Sequence, residues 1–295
     1  MNKKLPILFI TFNRKEESLK VLEAIRIYQP HRLYISSDGP RELIKGEIDL
    51  VKNIRNSILK MIDWDCEIVE IFHKKNLGCK NAVENAIDSF FSKEKEGIIL
   101  EDDCLPCQSF FKFCEKYLDI YENNTRVGII SGNNFFEDLG NKTECFFSEY
   151  PFIWGWATWS STWKNHRKFF EENFSKRKKF LHKDLKVRFN IPYNAKLAVD
   201  KQINTWDYQF IYSQYFNEQL TLVPRLNLVQ NIGFSDNATH TANSNSILLS
   251  RTSKDMEVYG VESIDLNPNL LYDQEVYRTI FKWSIFKTII KMILK

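Results

Sequence analysis

The chain has 295 residues, of which 43% are hydrophobic and 14% aromatic, and this composition excludes an intrinsically disordered protein. The 41 basic and 38 acidic residues give a net charge of +3, so the overall charge does not indicate a nucleic-acid-binding protein. We expect neither a secretory leader nor a transmembrane helix, because the sequence contains no leader pattern and no apolar run of bilayer-spanning length. The six scattered cysteines favour reduced thiols in the cytosol, and we interpret Cys104 and Cys107 as structural.

Strand and helix patterns alternate through the first half of the chain. Strands are predicted at residues 5–11, 33–37, 67–72, 97–101 and 127–131. Between them, apolar residues recur at helical spacing. This order predicts an α/β fold with a mainly parallel sheet that is flanked by helices.

Three acidic residues, Glu101, Asp102 and Asp103, end the fourth predicted strand. An ionised carboxylate is costly to bury without a partner, and carboxylate oxygens are preferred ligands of Mg²⁺ and Mn²⁺. The alternative is a solvated loop after a core strand. The acidic motif therefore suggests a divalent-cation site if the neighbouring strand ends supply a ligand that needs one.

Polar residues also follow the other predicted strands. They are Thr11, Asn13 and Arg14 after the first strand, Asp38 after the second, and Asn76 and Gly78 after the third. Functional groups collect beyond the carboxyl ends of parallel strands, so we expect one crevice that could hold a base, a ribose, a diphosphate and a metal ion. Arg14 at a helix start suits a phosphate, and Asp38 could accept a hydrogen bond from a ribose hydroxyl or a base N–H. Each residue alone could equally be a turn or cap residue.

Neither a glycine-rich dinucleotide loop nor a Walker lysine loop is present, which argues against dehydrogenase and phosphoryl-transfer functions. As an ordered set, Ile7–Arg14, Ser37–Gly39, Asn76–Gly78 and Glu101–Asp103 resemble the GT-A glycosyltransferases. More narrowly, they resemble bacterial nucleotide-diphospho-sugar transferases distantly similar to N-acetylglucosaminyltransferase I. The resemblance covers residues 5–241 and implies a GT-A (Rossmann-like) fold, a nucleotide-sugar donor, a divalent cation and inversion at the anomeric carbon.

The resemblance also implies roles for single residues. Asp103, as the last acid of the motif, corresponds to the residue that touches the metal, and Asp102 would lie nearer the ribose or sugar of the donor. A late histidine completes the metal site or contacts the diphosphate in many of these enzymes, and here that residue is His240. The motif departs from the usual Asp-X-Asp pattern, and these residues do not specify the base of the donor.

The densest aromatic cluster contains Trp154, Gly155, Trp156 and Trp159. Indole rings pack well against the apolar faces of sugars, and Gly155 would let a backbone approach a ligand closely. The alternative is that these tryptophans belong to the core. We interpret the cluster as a platform for the saccharide acceptor and donor sugar in which some members are core residues.

An inverting transfer needs one base to deprotonate the acceptor hydroxyl, and Asp207 is the candidate. The alternative role for Asp207 is that of a helix N-cap. Glu149 and Asp236 are the reserve candidates for the base.

We predict a catalytic domain over residues 1–250, divided into a nucleotide-sugar half (1–132) and an acceptor half (133–250), and an extension over residues 251–295. Residues 281–295 contain four lysines and no acid, with apolar residues on the opposite helical face. This pattern is typical of a helix that lies in a membrane surface, although a helix docked on protein is the alternative. We therefore expect the chain on the cytoplasmic face of the cell membrane.

These patterns and the resemblance predict a Mn²⁺- or Mg²⁺-dependent inverting glycosyltransferase. The donor would be a nucleoside-diphosphate sugar, with a UDP-sugar such as UDP-GlcNAc as the first choice. The acceptor would be a saccharide or lipid-linked glycan in bacterial surface-glycan synthesis, such as that of lipopolysaccharide or capsule. A sugar-phosphate nucleotidyltransferase and a non-catalytic carbohydrate-binding protein are the alternatives.

Overall fold

A computed structural model describes residues 4–139, 143–172, 185–233, 251–259 and 264–281 of the chain. The described strands are β1 (Ile7–Thr11), β2 (Arg32–Ser37), β3 (Glu67–Phe72), β4 (Glu96–Glu101), β5 (Cys104–Pro106), β6 (Val127–Ser131), β7 (Cys145–Ser148), β8 (Trp156–Trp159), β9 (Leu220–Pro224) and β10 (Val229–Asn231). The described α-helices are α1 (Lys15–Tyr28), α2 (Glu47–Met61), α3 (Gly78–Phe91), α4 (Gln108–Tyr121), α5 (Ser160–Glu172), α6 (Leu185–Val199), α7 (Asp207–Phe216) and α8 (Leu270–Val276).

Eight of these strands form one sheet in the order β3-β2-β1-β4-β8-β6-β9-β7. β1 pairs in parallel with β2 and β4, β2 pairs in parallel with β3, and β6 pairs in parallel with β9. β8 runs antiparallel to both of its neighbours, and β7 runs antiparallel to β9. The predicted α/β class, with a mainly parallel sheet flanked by helices, is confirmed.

The register of the first four strands brings their carboxyl ends to one edge of the sheet. Ile10 of β1 lies opposite Ser36 of β2 on one side and Glu101 of β4 on the other. Ser37 pairs in turn with Phe72, the last residue of β3. The polar residues that follow these strands therefore meet at the same edge, as the sequence analysis expects.

Helices cover both faces of the sheet, and this explains the nearly continuous apolar sequence of β1. Ile7 and Phe9 pack on one face against residues of α1, α2 and α4. Leu8 and Ile10 point to the opposite face and pack against residues of α3. Because successive side chains alternate between faces, every residue of this strand is buried.

The described part of the predicted extension packs against residues of the first 250. Met256 and Val258 lie against the same cluster as α1 and α4, and Tyr272 and Val276 are fully buried in a second cluster. Apart from Phe281, the predicted helix at 281–295 lies outside the described residues, so its membrane role stays a prediction. Within the described ranges, the helices are too short or too polar to cross a bilayer.

Candidate functional site

A cavity of about 430 Å³ opens beyond the carboxyl ends of β1, β2 and β4. Its walls contain ten residues that the sequence predicts for the site, namely Thr11, Asn13, Arg14, Asp38, Asn76, Gly78, Glu101, Asp102, Asp103 and Trp154. The other lining residues are Ile10, Phe12, Ser36, Arg41, Cys79, Ala82, Val83, Asn204, Asn231 and Gly233. The structure thus brings the four predicted strand ends together around one space.

Among the described residues that line the cavity, one guanidinium group, that of Arg14, contacts the acidic residues after β4. Arg14 Nη1 lies 2.5 Å from Asp103 Oδ2 and 3.4 Å from Asp102 Oδ1. Asp102 Oδ2 also accepts a hydrogen bond of 3.1 Å from the backbone N–H of Phe12. Arg14, which we expect to contact a phosphate, therefore serves in this structure as the counter-ion of two carboxylates.

One cation does not balance the negative charge at this end of the cavity. Burial, together with repulsion from Asp103, Asp102 and Asp207, raises the pKa of Glu101 to about 8. Burial and repulsion from Asp103 raise the pKa of Asp102 to about 7. Three carboxyl groups therefore share one guanidinium group, and the cluster holds protons near neutral pH that a bound cation could replace.

These raised pKa values predict that folding stability falls as the pH rises. The folded protein holds protons on Glu101 and Asp102 that the unfolded chain releases near pH 4. The contribution of these two groups to the free energy of unfolding is therefore full below about pH 4 and is lost as the pH rises through 7–8. Buried His166, whose pKa burial lowers to about 3, acts in the opposite direction only below its ordinary pKa of 6.5. Between about pH 6.5 and 8.5 we expect the melting temperature to fall, and to fall less in Glu101→Gln. Equal pH slopes in the two proteins would contradict the assignment.

Asp38 organises the loop that follows β3. Its Oδ1 accepts hydrogen bonds from the N–H groups of Gly39 (2.7 Å) and Leu77 (2.9 Å). Its Oδ2 accepts from Asn76 Nδ2 (3.0 Å) and from the N–H of Gly78 (3.1 Å). These bonds use about four acceptor positions, which is the capacity of a carboxylate. Asp38 thus uses about its full acceptor capacity on this loop, and its predicted contact with a ribose or base stays a prediction.

Asp38→Asn is expected to lower the free energy of unfolding by about 2–4 kcal/mol, because the new amide group would face two N–H donors and leave them unpaired. Binding of a ligand in the cavity should weaken with it, since Asn76 and Gly78 of this loop line the cavity. Urea unfolding measures the first effect. Asp65→Asn, at an exposed position, is the matched control and should change neither property.

Arg55 of α2 donates hydrogen bonds to the backbone at the ends of β2 and β3, next to this loop. The sequence analysis does not identify this residue. Its Nη2 donates to the carbonyl groups of Ser37 (3.0 Å), Asp38 (2.9 Å) and His73 (2.9 Å). The guanidinium also lies 4.8 Å from the centre of the Phe72 ring. The ends of β2 and β3 are therefore held by one half-buried cation, whose hydrogen-bond partners lie 17 or 18 residues away in the sequence.

A second ion pair, Arg41–Glu47, lies at the wall of the cavity. Arg41 donates through Nε and Nη2 to the buried carboxylate of Glu47, and its guanidinium lies 5.4 Å from the centre of the Phe12 ring. Asn13 Nδ2 donates to the same carboxylate at 3.1 Å. The hydrogen bonds from Arg41 are the main cause of the lowered pKa of Glu47. Asn13 is thus fixed by protein contacts, and Arg41 is a lining residue that the sequence analysis missed.

The floor of the cavity lies between the sheet and the first turns of α3. Ile10, Ala82 and Val83 make this floor apolar. Ser36 also lines it, and its buried Oγ has no hydrogen-bond partner among the described residues. A buried hydroxyl without a partner costs free energy, so this position is suited to a polar atom of a ligand.

The segment after β10 approaches the acidic cluster closely. β10 pairs with β5, and the N–H of Ile232 donates to the carbonyl of Asp103 at 2.8 Å. A Cβ atom on Gly233 would lie 2.3 Å from Asp103 Oδ2, so only glycine fits this approach. The chain that leads to His240 therefore departs from beside Asp103. His240 itself lies outside the described residues, so its metal or diphosphate role stays a prediction.

Only one of the three tryptophans in the predicted platform is among the lining residues of the cavity. Trp154 lines the cavity, whereas Trp156 and Trp159 belong to the central strand β8 and are buried in the core. Gly155 has φ +69°, and a Cβ atom there would meet the side chain of Val229 at 2.7 Å. The close approach at Gly155 is therefore made by the protein itself and not by a ligand, and we correct the platform assignment for these three residues.

Asp207 begins α7 beside the cavity. Its Oδ1 accepts hydrogen bonds from Thr205 Oγ1 and from the N–H of Tyr208 (2.8 Å). Its charge contributes to the raised pKa of Glu101, so the two carboxylates are neighbours. Asp207 is the first residue of α7 and Trp206 takes the N-cap position, so the N-cap alternative for Asp207 is not confirmed. Asp207 is not one of the lining residues of the cavity, and its role as the base stays a prediction. Of the reserves, Glu149 does not line the cavity, and Asp236 lies outside the described residues.

The acidic cluster fits a divalent cation in charge and ligand type. Asp102 and Asp103 offer carboxylate oxygens in a cluster of three carboxyl groups that share one guanidinium group. Within the described ranges, no three His, Cys, Asp or Glu side chains form a ready-made metal-ligand set. This agrees with the usual binding of Mg²⁺, which takes one or two carboxylates and completes its shell with water and substrate phosphates.

Comparisons with known proteins identify similar solved structures at low similarity. No protein-family profile and no curated sequence matches the chain. HddC from Yersinia pseudotuberculosis is 12% identical with a TM-score of 0.29, over 43% of this chain and 58% of its own. The mannosyltransferase PcManGT from Pyrobaculum calidifontis, in complex with GDP-Man and Mn²⁺, is 13% identical with a TM-score of 0.35, over 53% of this chain and 44% of its own. Mouse xyloside xylosyltransferase 1 is 8% identical with a TM-score of 0.32, over 72% of this chain and 81% of its own. The chain thus spans less than two thirds of the first two proteins, and these values do not define its family.

Proposed function

We propose that the chain is an inverting glycosyltransferase that uses a divalent cation and a nucleoside-diphosphate sugar. A UDP-sugar such as UDP-GlcNAc is the first choice of donor. The acceptor is a saccharide or lipid-linked glycan of a bacterial surface polymer, and the group transferred is a hexosyl or N-acetylhexosaminyl unit.

The observation that carries this proposal is the convergence of four strand ends on one cavity that has both apolar lining residues and a cluster of three carboxyl groups. Glu101 and Ser36 both lie opposite Ile10 on neighbouring strands, so these two residues are about 10 Å apart at strand spacing. An elongated ligand with an uncharged ring and a cation-bound anionic group fits such a space. A nucleoside diphosphate has this form.

Each residue then has a role that its contacts allow. Asp103 and Asp102 would hold the cation, which would act as a Lewis acid on the leaving diphosphate. Arg14, already beside both carboxylates, is placed to share its guanidinium with a phosphate oxygen. Trp154 offers an indole ring to the sugars at the cavity wall, and Asp207 takes the proton of the acceptor hydroxyl.

The two alternatives explain the site less completely. A sugar-phosphate nucleotidyltransferase normally carries a glycine- and arginine-rich loop after the first strand, and Thr11-Phe-Asn-Arg14 lacks one. A carbohydrate-binding protein would have no use for a cluster of three acids facing one arginine. Binding of saccharides without nucleotide binding or donor hydrolysis would favour the latter alternative.

A panel of nucleotide sugars tests the proposal. With Mn²⁺ present, we expect one donor class to raise the melting temperature and to be hydrolysed slowly without an acceptor. Removal of the cation with a chelator should abolish both effects. The proposal fails if no nucleotide sugar binds with either Mn²⁺ or Mg²⁺.

A further inference from the structure

Three exposed aliphatic side chains lie beside the mouth of the cavity. Leu43, Ile44 and Ile48 are 97%, 47% and 60% exposed, and we refer to them as the aliphatic rim. Single exposed aliphatic residues are common, but three within six residues form a patch that indicates an interaction site. The exposure of these three side chains therefore suggests that they contact another molecule.

A backbone hydrogen bond connects the aliphatic rim to a residue that lines the cavity. Leu43 and Ile44 belong to the turn between β2 and α2, and Ile48 lies in the first turn of α2. The N–H of Ile44 donates to the carbonyl of Arg41 at 3.1 Å, and Arg41 lines the cavity. A surface that covers the rim would therefore lie within three residues of a residue that lines the cavity.

The charges around the rim are mainly positive. The carboxylate of Glu47 is buried and paired with Arg41, so this pair adds no net charge. Two exposed acids, Glu42 and Asp49, then stand against four exposed lysines, which are Lys45, Lys52 and the lysines of the next loop, Lys74 and Lys75. The lysine loop is adjacent, because the backbone of Lys75 lies against Gly39 so closely that a Cβ there would be 2.3 Å away.

The chemistry of the rim favours lipid over protein as the partner. Protein interfaces concentrate their binding energy in Trp, Tyr and Arg side chains, whereas the rim contains only branched aliphatic ones. A membrane-surface site usually combines two elements. Aliphatic side chains enter the boundary between headgroups and acyl chains, and neighbouring lysines contact anionic headgroups.

We propose that the aliphatic rim, with Lys45, Lys74 and Lys75, is a membrane-contacting surface that holds the cavity mouth against an anionic bilayer. The link to catalysis rests on the proposed function, because such an orientation would present the cavity to a lipid-linked acceptor. This surface is separate from the predicted helix at residues 281–295 and lies within the nucleotide-sugar half of the chain.

Vesicle partition of the full chain tests the surface. We expect binding to vesicles of phosphatidylcholine mixed with phosphatidylglycerol and weaker binding to phosphatidylcholine alone. Changing all three rim residues to serine should weaken the binding about tenfold or more, because each change removes exposed hydrocarbon from the contact. Ile48→Ser should weaken binding, whereas Ile27→Ser on α1, where the isoleucine is also 60% exposed, should not.

Three outcomes overturn the proposal. They are equal partition of the triple variant and the wild type, absence of binding to either kind of vesicle, and concentration-dependent self-association that the triple variant loses. The last result would assign the rim to a second copy of the chain. Nucleotide-sugar binding in solution is measured without vesicles, so failure of the proposed function is seen separately from failure of this surface.

Discussion

Asp103→Asn is expected to lower the rate of sugar transfer about a thousandfold, which corresponds to about 4 kcal/mol in the activation free energy. The substitution keeps the size of the side chain and an oxygen that can accept from Arg14, but it removes the charge that would bind the cation. Cation-dependent stabilisation by the donor should disappear with the activity. Steady-state kinetics and melting temperatures, each measured with and without Mn²⁺, test both effects.

The control for this substitution is again Asp65→Asn, which removes the same charge from an exposed position outside the cavity. It should leave both readouts unchanged. If Asp103→Asn retained Mn²⁺-dependent donor binding, the cation would have to be assigned to other residues, and the proposed role of the acidic cluster would be refuted.

Asp207→Asn is expected to lower kcat by between about a hundredfold and ten-thousandfold while the donor dissociation constant stays the same. The asparagine carbonyl can still accept the hydrogen bond from the N–H of Tyr208, so the start of α7 is preserved. The amide cannot take a proton from the acceptor hydroxyl. Kinetics with a saturating donor, combined with a separate donor titration, distinguish loss of the base from loss of binding.

Glu149→Gln is the comparison that makes this test specific. Glu149 is one of the two reserve candidates, and like Asp207 it is not among the lining residues of the cavity. Among the described residues, Asp207 but not Glu149 is a main cause of the raised pKa of Glu101, which links Asp207 to the acidic cluster. We expect the variant to retain most of its activity. A large fall in kcat for Glu149→Gln, with little change for Asp207→Asn, would transfer the role of the base to Glu149.

The elements of the first half could be predicted from the sequence because their signals are local. β3 and β6 have the predicted bounds, and β1, β2 and β4 differ from the predictions by one or two residues at one end. Apolar runs and alternations of strand length, separated by helical spacing, give these elements directly. The order of strands and helices then places their carboxyl ends at one edge of the sheet.

The second half was harder because its strands depend on distant partners. Trp156–Trp159 inserts as β8 between β4 and β6, and this pairing buries two of the tryptophans. The sequence around it has no alternation that distinguishes a buried central strand from an exposed aromatic surface. The pairings of β7 with β9 and of β5 with β10 are likewise set by residues far apart in the chain.

The sequence by itself determined which polar residues follow the parallel strands, and therefore that Arg14, Asp38, Asn76 and the three acids at 101–103 would share one crevice. Only the tertiary structure decided which protein groups each of them contacts. Asp38 accepts four hydrogen bonds from the protein, whereas the three acids at 101–103 share one arginine, and the pKa values of Glu101 and Asp102 are raised. The physical reason is that hydrogen-bond saturation and charge balance depend on partners that only folding brings within contact distance.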